Sequence, residues 1–103
     1  MQNPIKSDET IAVLCAKCDL AGSAASESCS QLAAQNGPRK RAKWRREHIM
    51  RCGALDRAVS ELTVALYVQP FSEDFISPSM RAHAYDVQGF ASRRLFVLMG
   101  GKL

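Results

Sequence analysis

Apolar residues recur every three or four positions along most of this chain and nowhere alternate with a period of two, a pattern that predicts helices and no strand. In the first segment Ile11, Cys15, Cys18, Gly22, Ala25, Cys29 and Leu32 alternate spacings of four and three, the repeat of a helix packed along its length against another. Leu14, Leu20 and Ala21 widen that stripe. Most of the seam is small, so the backbones it joins approach closely while each side chain buries little area. Ser7 is suited to cap this helix, and Asp8 and Glu9 put negative charge at the positive end of its dipole. Gly22-Ser23 is its weak point, because an interior glycine costs ~1 kcal/mol relative to alanine. Either one kinked helix or two shorter ones would fit. Asn36-Gly37-Pro38 ends it with a turn tight enough to make the next helix an antiparallel neighbour.

The second periodic segment runs from about Arg39 to about Val68 and stops at Gln69-Pro70. Projected as a helix, Trp44, His48, Cys52, Leu55, Val59, Leu62 and Leu66 share one face, and Arg39, Lys43, Arg46 and Arg57 share the opposite one. Gly53 is expected to loosen its middle. Phe71 to Ile76 reads as a loop whose Phe71 and Phe75 plug one end of the core. Ser77-Pro78 then starts a third helix with a capping hydroxyl and a first-turn proline. Met80, Ala84, Val87, Ala91, Leu95 and Leu98 form its stripe, flanked by Tyr85, Phe90 and Phe96, until Gly100-Gly101. The expected architecture is an all-α, antiparallel three-helix bundle. A tail over residues 1–7, one helical domain over 8–99 and a short tail over 100–103 complete it. A chain of 103 residues accommodates one such domain without metal or disulfide staples.

Charge changes this picture more than composition does. The net +4 is unevenly spread: Pro38 to Arg51 carries +6, the residues before it −2 and those after it zero. Seven of the thirteen residues from Arg39 to Arg51 are Lys or Arg, with the only tryptophan, Trp44, among them. These cations crowd the start of a helix, where the dipole disfavours them, so they cost stability without an evident structural return. A bound polyanion offsets that cost. The expectation is a non-enzymatic regulatory or accessory protein whose Arg39, Lys43 and Arg46 contact nucleic-acid phosphates as one row, with Lys40 and Arg51 flanking it and Trp44 bracing the helix. DNA and RNA are equally compatible. The alternative partner is an acidic protein surface, docked by an adaptor, an inhibitor or a homodimeric regulator whose small-residue seam leaves apolar surface to cover. Ile49, Gly53 and Val59 also fit the spacing of a helix-turn-helix over Arg45 to Val64. Its second helix would present Asp56, Ser60, Glu61 and Thr63, an acidic face poorly matched to a major groove, so the continuous helix is preferred.

The remaining chemistry is thin. Cys15 and Cys18 form a C-x2-C pair, and His48 and Cys52 lie one turn apart, which together supplies four zinc-type ligands. A fold-back at Gly37 sets Cys52 opposite Gly22 and His48 opposite Ser26, leaving Cys15 ~10 Å away along the helix. The sequence therefore implies no metal and no cofactor. His48 beside Cys52 also resembles a base and a thiol, with Arg45 and Arg51 near enough to lower the thiol pKa, yet no third residue orients them. No secretory leader is evident, and no run approaches the ~18 apolar residues of a membrane span. The expected location is the cytoplasm, or the nucleus of a eukaryote, where Pro38-Arg39-Lys40-Arg41 would serve as an import signal. Gly101-Lys102-Leu103 is one residue from a peroxisomal address and carries little weight.

Overall fold

A computed structural model of the chain describes residues 8–68 and 76–101. Three long helices account for most of them: α1 (Asp8–Ala34), α2 (Pro38–Thr63) and α3 (Pro78–Leu98). A π-helical turn, Val64–Val68, continues α2. All three helices pack against one another, and no strand occurs among the described residues, so the fold is the expected all-α three-helix bundle. The expected cap at Ser7, the stop at Gln69-Pro70, the plugs at Phe71 and Phe75 and the Lys102-Leu103 end lie outside the described residues.

Side-chain bonds fix the topology. Arg51 of α2 reaches Ala24 and Glu27 of α1, and Lys17 pairs with Glu61, so α1 and α2 are antiparallel. The Asp8 carboxylate accepts the Ser77 N–H at 2.8 Å, and Arg94 donates to the Ser26 hydroxyl at 3.0 Å, so α3 runs parallel to α1. The pairing of α1 with α2 is offset from the fold-back expectation by two residues: His48 meets Ser28 rather than Ser26. That moves the Cys52 level still farther from Cys15, to ~13 Å along α1.

The small-residue seam of α1 behaves as its spacing implies. Ile11, Cys15, Cys18, Gly22 and Ala25 are buried, and α1 continues unbroken through Gly22. The reason is the neighbour: the Arg94 guanidinium of α3 lies so close that a Cβ on Gly22 would stand 2.7 Å from its Nη1. Gly22 thus lies beneath the Arg94 side chain of α3 and is not a hinge. Gly53 does not interrupt α2 either, and a Cβ there would meet only Arg57, at 3.7 Å. Gly53→Ala should therefore stabilise the domain by up to about 1 kcal/mol, because it removes unfolded-state freedom without a clash. Thermal unfolding should record this as a rise of several degrees.

The helix ends are closed by identifiable groups. Ser77 adopts an extended backbone and accepts the Met80 N–H at 3.2 Å, capping α3 beside Pro78 as expected. At the other end Gly100 has φ +94°, and its N–H and that of Gly101 return to Val97 and Phe96 carbonyls, the paired bonds of a Schellman motif. A Cβ on Gly101 would overlap the Phe96 ring. The π-helical turn was not foreshadowed by the sequence. Tyr85 donates to the Leu66 carbonyl within it at 3.3 Å, and the Tyr67 and Tyr85 rings meet edge to face.

Large, fully buried side chains are few: Ile11, Leu55, Leu62 and Ile76, filled out by Cys18 and alanines such as Ala25 and Ala84. Burial pushes the Cys18 thiol from the usual 9.0 up to about 11, with Cys15, Asp19 and Glu61 adding to the effect. The folded state therefore holds this proton when the unfolded chain has begun to release it. Stability should be unaffected below about pH 9 and should fall between pH 9 and 11. Urea midpoints at pH 8 and pH 10.5 are expected to differ less in Cys18→Ala than in the parent.

Candidate functional site

The third helix is shorter than the hairpin it packs on. His48 Nε2 donates to the Leu98 carbonyl at 3.0 Å, placing the end of α3 level with the first third of α2. The last turn of α1 and the first two turns of α2 therefore project beyond α3 as a two-helix tip. On that tip Arg39, Lys40, Lys43, Arg45 and Arg46 are all exposed. Among the described residues none of the five joins an ion pair. Arg39 to Arg46 spans ~10 Å along the helix axis.

The start of the helix beneath them offers no competing anion. The first turn of α2 contains no acidic residue, and its N-cap, Gly37, supplies no side-chain acceptor. Pro38 removes one of the unpaired N–H groups, and those of Arg39 and Lys40 follow at the positive end of the dipole. A shallow depression lined by Gln35, Asn36, Gly37, Arg39 and Lys40 opens at this point.

Two basic residues of the same run are spoken for. Arg41 turns back onto α1 and donates to the Leu32 and Gln35 carbonyls at 3.3 and 3.1 Å, capping a helix whose last turn has no cation of its own. The run Pro38-Arg39-Lys40-Arg41 is thus helical, with one of its cations engaged. Arg51 donates to Glu27 at 2.8 Å, to Glu47 at 3.0 Å and to the Ala24 carbonyl at 2.9 Å, and stands 5.6 Å from the Trp44 ring centroid. The hydrogen bond to Glu27, then that to Glu47, raises its already high pKa. Of the expected phosphate contacts, the structure brings Arg39, Lys40, Lys43 and Arg46 together at the tip and sets Arg51 apart from them. Arg45 joins the exposed group. It lies off the helical row formed by Arg39, Lys43 and Arg46, so the linear pattern did not single it out.

His48 ties all three helices. Its Nδ1 lies 2.7 Å from the Ser28 hydroxyl of α1, while Nε2 reaches Leu98 of α3. Ser28 Oγ also lies 2.8 Å from the Ala25 carbonyl. With a neutral ring, the hydroxyl donates to Nδ1; with a charged ring, Nδ1 donates to the hydroxyl, which turns to Ala25. Each state leaves the buried Ser28 satisfied.

The thiol beside it is not primed for attack. Cys52 Sγ is 3.5 Å from His48 Nε2, but that nitrogen is committed to Leu98. Burial, with a smaller effect of Cys29, pushes the Cys52 thiol pKa up, opposite to the lowering expected from Arg45 and Arg51. Among the described residues no group of three or more His, Cys, Asp or Glu side chains is placed to hold a metal ion. The helix-turn-helix spacing is likewise not realised, since α2 passes through Gly53 without a turn. No described helix is long and apolar enough to cross a membrane. Compared with models of known families, with curated proteins and with solved structures, the chain matches none.

Proposed function

We propose that this protein acts by binding and not by catalysis, and that the projecting hairpin tip engages the phosphate backbone of a nucleic acid through Arg39, Lys40, Lys43, Arg45 and Arg46. The observation that carries this reading is the group of five exposed cations, unmatched by carboxylates, at the uncapped start of a helix. Like charges at the positive end of a dipole cost folding free energy, and an anion bound there recovers it. The ~10 Å from Arg39 to Arg46 covers about three successive phosphates of one strand. At the tip itself Trp44 is half-buried and lies against Arg51, so it is not free to stack on a base. Binding should therefore follow the backbone with little sequence preference.

Fluorescence anisotropy with labelled duplex DNA, single-stranded DNA and RNA tests the reading. Micromolar binding at low salt to at least one form, insensitive to base sequence, is expected. No binding to any of the three at low salt would contradict it and leave the cations as a solvated face.

A further inference from the structure

Between α2 and the end of α3 lies a largely apolar groove of about 380 Å3, lined by His48, Ile49, Cys52, Gly53, Leu98 and Met99, with Asp56 at one end. Two of its apolar residues are unusually exposed: Ile49 is 65 % and Met99 69 % accessible. The wall is adaptable where Met99 forms it, and Gly53 allows close approach of another backbone. Arg45 and Arg46 stand one helical turn before Ile49 and Met50, and Arg57 one turn after Gly53, against a single carboxylate, Asp56. The groove is therefore apolar along its floor and cationic along its rim.

We propose that this groove docks a short amphipathic helix of a partner protein, with apolar anchors in the groove and acidic residues against Arg45, Arg46 and Arg57. Charge complementarity chooses the occupant. A second copy of this chain would bring the same arginines and meet like charge, whereas an acidic helix meets opposite charge at both ends of the groove. From His48 to Asp56 is ~12 Å, the length of about two turns, so two anchors spaced i to i+3 or i+4 fill it. Aliphatic walls without a free aromatic ring suit leucine or methionine side chains better than a base. The proposal shares Arg45 and Arg46 with the nucleic-acid reading, but its apolar docking residues Ile49, Leu98 and Met99 stand apart from the row Arg39, Lys40 and Lys43, so the two readings can fail separately.

The test is selection of a displayed library of helix-forming peptides of about 14 residues on the full-length chain, followed by anisotropy with an enriched peptide. Enriched peptides should carry Leu, Met or Phe at i and i+3 or i+4, flanked by Asp or Glu. Ile49→Ser and Met99→Ser, both exposed positions, should each weaken the enriched peptide at least about tenfold without altering the circular dichroism. The double variant Arg39→Glu/Lys43→Glu should leave peptide affinity within about twofold, whatever it does to nucleic-acid binding. Failure to enrich any peptide, enrichment of basic peptides, or binding indifferent to both serine variants would overturn the proposal. A concentration-dependent dimer in light scattering that Ile49→Ser dissociates would also overturn it, by assigning the groove to a second copy.

Discussion

Replacing Arg39, Lys43 and Arg46 together by glutamate is expected to weaken nucleic-acid binding by at least about 100-fold at moderate salt, below the range of a micromolar assay. All three side chains are exposed and none is paired, so the substitution removes no internal contact of the folded chain. Stability should move the other way. Arg39 stands in the first turn of α2, where a carboxylate is favoured by about 0.3–1 kcal/mol over no charge and a cation is disfavoured. A variant that loses binding while its thermal midpoint holds or rises would separate a functional role for these residues from a structural one. Arg51→Ala makes the contrast. It should lower stability by unpairing Glu27 and Glu47 from the α1–α2 junction, while leaving most of the nucleic-acid affinity intact.

The second large effect is in the core. Leu55→Ala is expected to cost about 3–5 kcal/mol, a substantial part of the ~5–15 kcal/mol that holds a domain of this kind folded. The cost falls at the upper end for a reason specific to this chain. Leu55 has no accessible surface and is, among the described residues, one of four large side chains buried so completely. The surrounding α1 seam is built of cysteine, glycine and alanine, which have no length to swing into the space left behind. A cavity therefore persists. Leu20→Ala, at a position 73 % exposed, should change the urea midpoint very little. A Leu55→Ala domain as stable as the parent would mean that Leu55 does not sit at the buried centre of the bundle.

Much of the fold was legible because helical periodicity is a local property. The caps at Ser77 and Gly100-Gly101, the turn before Pro38 and the buried faces of all three helices follow from residues near one another in sequence. The seam of α1 was read correctly up to Ala25, but Leu20, expected to widen it, points to solvent, and Cys29 and Leu32 are only half-buried. The last two lie near or beyond the end of α3, so α2 alone covers them, and nothing in their spacing records where the third helix stops. The same cause leaves Trp44 half-exposed against Arg51 and not braced in a core. Gly22 and Gly53 read as weak points because propensity weighs a residue without its neighbours, and packing over α1 and along α2 overrides it.

The candidate site was legible as charge and only partly as geometry. Arg39, Lys40, Lys43 and Arg46 keep their expected exposure, since an unpaired surface cation needs no tertiary partner. Arg51 and Arg41 do not stand with them, because their partners are Glu27 and two carbonyl groups of α1, distant in sequence or carrying no side-chain signature. The His48 link to Leu98 was invisible for the same reason: a backbone carbonyl acceptor leaves no mark in the sequence. The apolar groove depends on where α3 ends beside Ile49, which is again a tertiary fact.

The salt dependence of nucleic-acid binding counts the phosphates that the hairpin tip neutralises. If about four cations of the tip each neutralise a phosphate, the logarithm of the association constant should fall against the logarithm of salt with a slope near −3 to −4. That corresponds to a loss of roughly 100-fold between ~50 and 200 mM salt. The Arg39→Ala/Lys43→Ala variant, which keeps enough affinity to measure, should show a slope shallower by about 2 units. A slope near zero in the parent, or one unchanged in the variant, would contradict the assignment of the hairpin tip as a phosphate-binding surface.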